Sequence, residues 1–99
     1  MLKIQARTDG DTLIFGLEGR IDTNTAPELD KELKDKLPDA EKLILDFENV
    51  DYISSAGLRV LMAADKIMRR AGGMKIINVN DVVEEVFEVT GFSNVFTVE

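Results

Sequence analysis

Ninety-nine residues, 44% of them hydrophobic, are enough chain for one domain with one buried core. The absence of cysteine and histidine excludes a disulfide framework, a thiolate nucleophile, cysteine-ligated zinc and the usual general base. A net charge of −7 argues against nucleic acid and anionic membrane as partners, because both are polyanions, and favours a partner that presents a basic patch. The opening Met-Leu-Lys-Ile-Gln-Ala-Arg turns polar too soon for a signal peptide. No apolar run nears the ~20 residues of a membrane span, so a cytoplasmic location is expected.

In chain order, Leu2, Ile4 and Ala6 alternate with Lys3, Gln5 and Arg7, which predicts a strand with one wet face. Asp9-Gly10-Asp11 is a turn signal, and Leu13, Phe15 and Leu17 alternate with Thr12, Gly16 and Glu18 over residues 12–18. The chain therefore opens as an antiparallel hairpin. After Gly19 to Asn24, Thr25-Ala26-Pro27-Glu28 fits a capping box, and Leu29, Leu33 and Leu37 form an i, i+4 stripe that ends at Pro38. Lys42 to Phe47 is a short, mostly apolar run, the pattern of a central strand covered on both faces, followed by a loop from Asn49 to Ser54. A helix over 56–71 is closed by Gly72-Gly73. A strand from Met74 to Val79 follows, then a helix capped by Asn80 or Asp81 and ended by Gly91. Val95 to Val98 can add a last short strand. The expectation is a single α/β domain over 1–99, a hairpin followed by alternating helices and strands, with a mixed, mostly parallel sheet and helices mainly on one face.

Sites in such sheets gather at the carboxyl ends of parallel strands. If the second and third strands are neighbours, one rim carries Arg20, Asp22, Thr23, Asn24, Asp46, Asn49, Asp51, Ser54 and Ser55. At 100° per residue the second helix places Gly57, Val60, Leu61, Ala64, Ile67, Met68 and Ala71 on its core face. Ser55, Leu58, Arg59, Met62, Asp65, Lys66 and Arg69 fall on the opposite face. A serine before a helix is ordinarily an N-cap. Here the helix N-terminus, which receives phosphate well, coincides with an outward apolar pair, Leu58 and Met62. Asp46, at the end of an apolar strand, either anchors a loop or serves the site; Asp22 either contacts a partner or shapes the turn. Without histidine or a phosphate-cradling glycine loop, neither an enzyme nor a cofactor is expected.

The run Phe47-Glu-Asn-Val-Asp-Tyr-Ile-Ser-Ser-Ala-Gly-Leu-Arg-Val-Leu resembles the signature of STAS domains, and within them the stand-alone bacterial anti-sigma-factor antagonists. Leu17-Glu-Gly-Arg-Ile-Asp-Thr-Asn-Thr-Ala is similar to that family's approach to its first helix. Gly91-Phe-Ser-Asn-Val-Phe96 is similar to its closing segment. The resemblance implies an antagonist that, unphosphorylated, binds an anti-sigma factor with serine kinase activity and so frees the sigma factor. That kinase phosphorylates a serine at the start of the second helix, and a PP2C-type phosphatase removes the phosphate. Matched on the following glycine and leucine, the acceptor is Ser55, with Ser54 second. The family's common Asp-Ser-Ser/Thr-Gly stands here as Ser54-Ser55-Ala56-Gly57. The partner surface implied is Arg20, Asp22, Thr23, Asn24, Ser54, Ser55, Leu58, Arg59 and Met62. A non-phosphorylated STAS scaffold subunit of a larger assembly is the alternative. An aspartate phospho-receiver would need an acidic cluster at the first strand, and Met1 to Arg7 contains no acid.

Overall fold

Gly10, at φ +62°, lets the chain reverse in two residues between Asp9 and Thr12. The computed structural model describes residues 2–99 and begins with this hairpin, β1 (Lys3–Asp9) and β2 (Thr12–Ile21). Then follow α1 (Ala26–Lys36), β3 (Lys42–Ile53), α2 (Ser55–Arg69), β4 (Met74–Ile77), α3 (Asp81–Thr90) and β5 (Thr97–Val98). Pro38 lies in a short 3₁₀ turn, Leu37–Asp39, directly after α1. The five strands lie in sequence order, β1 antiparallel to β2 and the rest parallel.

That order has a geometric consequence. Successive right-handed crossovers that always move one strand in the same direction put every helix on the same side. Burial follows suit: Leu13, Phe15, Leu17 and Ile21 of β2, Leu43, Leu45, Phe47, Val50 and Ile53 of β3, and Met74 and Ile76 of β4 form the core face. The other face of β3 carries half-buried Ile44 and Asp46, so this strand is not covered on both sides as its composition suggested. β1 also departs from expectation, because residues 5–9 are exposed on both faces.

The third strand runs six residues beyond Phe47, through the segment expected as a loop. Two register shifts against β2, between Gly16 and Glu18 and between Gly19 and Arg20, reset which face each residue takes. Core positions therefore step by three, Phe47 to Val50 to Ile53, and the period-two signal is lost.

Helix ends are set by local chemistry. Asn80 caps α3, its Oδ1 accepting from the Val83 N–H at 2.8 Å, while its Nδ2 donates to the Val50 carbonyl at 2.9 Å. Gly91, at φ +82°, ends the same helix. Phe87 of α3 packs on Phe47 and on Phe96, with ring centroids 6.3 and 5.7 Å apart.

Candidate functional site

The carboxyl ends of β2 and β3 are joined directly, since the Ser54 N–H donates to the Ile21 carbonyl at 2.8 Å. The starts of α1 and α2 thus lie side by side on one rim, although the loop expected before α2 is reduced to Ser54.

At the start of α1, Asp22 organises the turn. Its carboxylate accepts from the Asn24 and Thr25 N–H groups at 2.9 and 3.1 Å, and its carbonyl accepts from the Ala26 N–H at 2.8 Å. The Thr25 hydroxyl donates to the Arg20 carbonyl at 2.8 Å and accepts from the Asp22 N–H at 2.9 Å. The expected capping box is therefore not formed: Thr25 is buried and faces back toward β2, and the Asp22 carboxylate orders the turn that leads into α1. The N–H of Thr25, foremost among these donors, holds the Asp22 carboxyl below the usual carboxylate range. Thr23 and Asn24 are exposed beside it. Arg20 pairs across the sheet with Tyr52, its guanidinium 4.9 Å from the ring centroid and 3.8 Å from the Asp22 carboxylate.

The start of α2 is bare. Ser54 is the N-cap of this helix, but its side chain makes no capping bond, and its Oγ is buried without a hydrogen-bond partner. Ser55, the first helical residue, is exposed, and no acidic residue occupies the first turn. Gly57 permits this close approach of helix to sheet. A Cβ there would lie 2.6 Å from Ile21 Cγ2 and 2.7 Å from Ile53 Cγ1.

The helix is rotated from its expected setting. Leu58, expected outward, is 4% exposed and belongs to the core, whereas Ile67, expected inward, is 46% exposed. Ala71, also expected inward, is exposed just past the helix end. Asp65, expected outward, is buried and paired with Arg69, whose Nη2 and Nε lie 2.8 and 2.9 Å from its Oδ2. Met62 is half-buried against the core. Arg59 is exposed, as expected.

Between α1 and α2 lies a shallow groove of about 350 Å³, with Thr23, Ala26 and Pro27 on one wall and Ala56, Arg59 and Val60 on the other. Sequence reasoning singled out only Thr23 and Arg59 of these as site residues. The signal for the others is small residues at both helix starts, Ala26-Pro27 and Ala56-Gly57. Asp46 and Asn49 lie within β3, not on the rim. Asp46 is an anchor: it accepts from the Glu48 N–H and from Asn78 Nδ2, both at 3.0 Å. Asp51, also expected on the rim, is an exposed strand residue.

Residues 3–99 match the STAS domain family model. The chain belongs to this family. BtrV of Bordetella bronchiseptica, which carries the provisional name of an anti-sigma factor antagonist, is 38% identical over 88 residues, covering 87% of this chain and 76% of that protein. An anti-sigma factor antagonist from Mycobacterium paratuberculosis shares the fold with a TM-score of 0.91 at 20% identity, covering 99% of this chain and 85% of that one. The phosphorylated form of the Bacillus cell fate determinant SpoIIAA superposes with a TM-score of 0.75 at 15% identity, covering 98% and 91%. Within the family the chain is of the anti-sigma factor antagonist type. Among the described residues no helix is long and apolar enough to cross a membrane.

Proposed function

We propose that this chain binds an anti-sigma factor with serine kinase activity, that it does so unphosphorylated, and that phosphorylation of Ser55 ends the binding. A PP2C-type phosphatase resets it. One observation carries the reading: Ser55 stands exposed at an uncapped, acid-free helix N-terminus, directly before Ala56, which lines the groove between α1 and α2. The neighbouring Ser54 hydroxyl is buried, which supports Ser55 as the acceptor.

The partner surface consists of the groove walls with Ser55, Arg59, Thr23 and Asn24. Arg20 and Asp22 support it from below, and Met62 contributes the fraction of its side chain left in solvent. Leu58 contributes by holding α2 against the sheet. A phosphate adds about −1.5 to −2 charges to this surface. Free N–H groups at the helix start receive it without refolding, but a partner that must bury the dianion loses affinity.

The test is incubation with the cognate kinase and ATP, followed by peptide mapping and partner titration. Phosphate should appear on Ser55, and Ser55→Ala should abolish incorporation while keeping partner binding. Ser55→Asp should weaken binding by at least tenfold. Undiminished incorporation in Ser55→Ala, or equal affinity of both phosphorylation states, overturns the reading.

A further inference from the structure

Strand β1 is the longest exposed edge of the sheet. It pairs only with β2, and no helix covers its far end: of residues 3–9 only Ile4 is even half-buried. The hairpin tells which of its backbone groups are unused. The two-residue turn has Gly10 at positive φ, and Asp11 is not among the residues with positive φ, which is a type II′ turn. The pair that closes such a turn, Asp9 with Thr12, exchanges both backbone bonds, and bonded pairs then alternate along the ladder. Arg7, Gln5 and Lys3 are bonded to β2, so Ile4, Ala6 and Thr8 direct their N–H and C=O groups outward.

An edge with three outward residues is a template for another strand. Three antiparallel registers about a two-fold axis, centred on Gln5, Ala6 or Arg7, keep most of the strand paired, and its side chains discriminate among these. Centred on Gln5, the pairing sets Lys3 opposite Arg7 of the second copy. Centred on Arg7, it sets the two Arg7 side chains opposite each other. Both juxtapose like charges, which is unfavourable for directly opposed residues. Centred on Ala6, it sets Lys3 opposite Asp9 and Gln5 opposite Arg7, each twice by symmetry. The same register pairs Ile4 with Thr8 and the two Ala6 residues, and all outward N–H and C=O groups of Ile4, Ala6 and Thr8 find partners.

We infer that β1 is a self-association surface, on which two copies join antiparallel about Ala6 into one continuous sheet. The competing Lys3–Glu18 contact within the chain is long, 3.8 Å, and exposed at both ends, so it holds Lys3 weakly. The net charge of −7 opposes association, but the strand itself carries two cations, Lys3 and Arg7, against one anion, Asp9, and salt screens the more distant charges. The surface lies on the opposite side of β2 from β3 and β4, against which α2 packs; of α1, it is the C-terminal residues Asp35 and Lys36 that border β1, whereas the groove is lined by the N-terminal residues Ala26 and Pro27.

Sedimentation equilibrium from micromolar to about 1 mM, the weak end of specific association, tests the inference. Wild type should dimerise. Lys3→Asp and Asp9→Lys should each weaken the dimer at least tenfold, and an equimolar mixture of the two should recover it, because unlike charges then face each other across the edge. Ala6→Pro removes the two central intermolecular bonds without touching the β1–β2 ladder, and should also be monomeric. Amide spectra of each variant verify that the hairpin is intact. A monomeric wild type, a dimer indifferent to Lys3→Asp and Asp9→Lys, or no recovery on mixing overturns it.

Discussion

The N-termini of α1 and α2 are neighbours on one rim, yet their chemistry is opposite. At α1 a carboxylate is already in place, with Asp22 accepting from two backbone N–H groups and Glu28 following in the first turn. At α2 the cap residue makes no side-chain bond and the first turn has no acid. A helix N-terminus carries roughly half a positive charge. That charge is compensated within the chain at α1 and left uncompensated at α2, where an incoming anion meets no competitor.

The contrast can be broken by substitution. The largest effect is expected at Leu58, whose burial holds α2 to the sheet. Leu58→Ala should lower stability by about 2–5 kcal/mol in chemical denaturation. A change near zero would mean the helix is rotated back, with Leu58 on the wet face.

Next comes the built-in anion. Asp22→Ala should lower the melting temperature, though less than Leu58→Ala does, since it leaves the Asn24 and Thr25 N–H groups of the turn before α1 without their acceptor. The sign with pH follows from the lowered carboxyl of Asp22. Its stabilisation is present above the ordinary carboxylate range and is lost as pH falls through the folded value. Asp22→Asn should therefore flatten the decline of stability below about pH 4.

Adding an anion to α2 should do less to the fold. Phosphorylated Ser55 meets free N–H groups and lies one turn from Arg59, so it should stabilise by a few tenths to about 1 kcal/mol at low salt, fading as salt rises. Melting curves of both forms at two ionic strengths measure this. Much earlier melting of the phosphorylated form would show a conformational switch instead. The smallest effect is expected for Ser54→Ala. It removes a buried hydroxyl that has no partner, so stability should stay within about 0.5 kcal/mol or rise. A clear loss would reveal a bond from Ser54 and close the difference between the starts of α1 and α2.

Element type and order were legible because each rests on local patterning. Leu29, Leu33 and Leu37 are all buried, as their stripe implied, and Asn80 and Gly91 bound α3 through their own side-chain and backbone chemistry. Ser55 was legible as the outward residue at the start of α2 from the run it begins. The second half of β3 was hidden, because its bulges break the alternation that marks a strand and its Asn49 and Asp51 read as loop residues.

The sequence by itself determined one α/β domain, the hairpin, the alternation that follows and a serine placed at a helix start. Tertiary structure alone decided the rotation of α2. Apolar residues lie around most of that helix, with Leu58, Val60, Leu61, Met62, Ala64, Ile67 and Met68 leaving no single narrow stripe. Its setting comes from a contact between distant residues: Gly57 seats the helix against Ile21 and Ile53, which turns Leu58 and Asp65 inward and Ile67 out. Periodicity counts residues along one helix and cannot register which neighbouring strand the helix leans on. The groove beside Ser55 exists only because two helix starts, far apart in sequence, are brought side by side at the ends of paired strands.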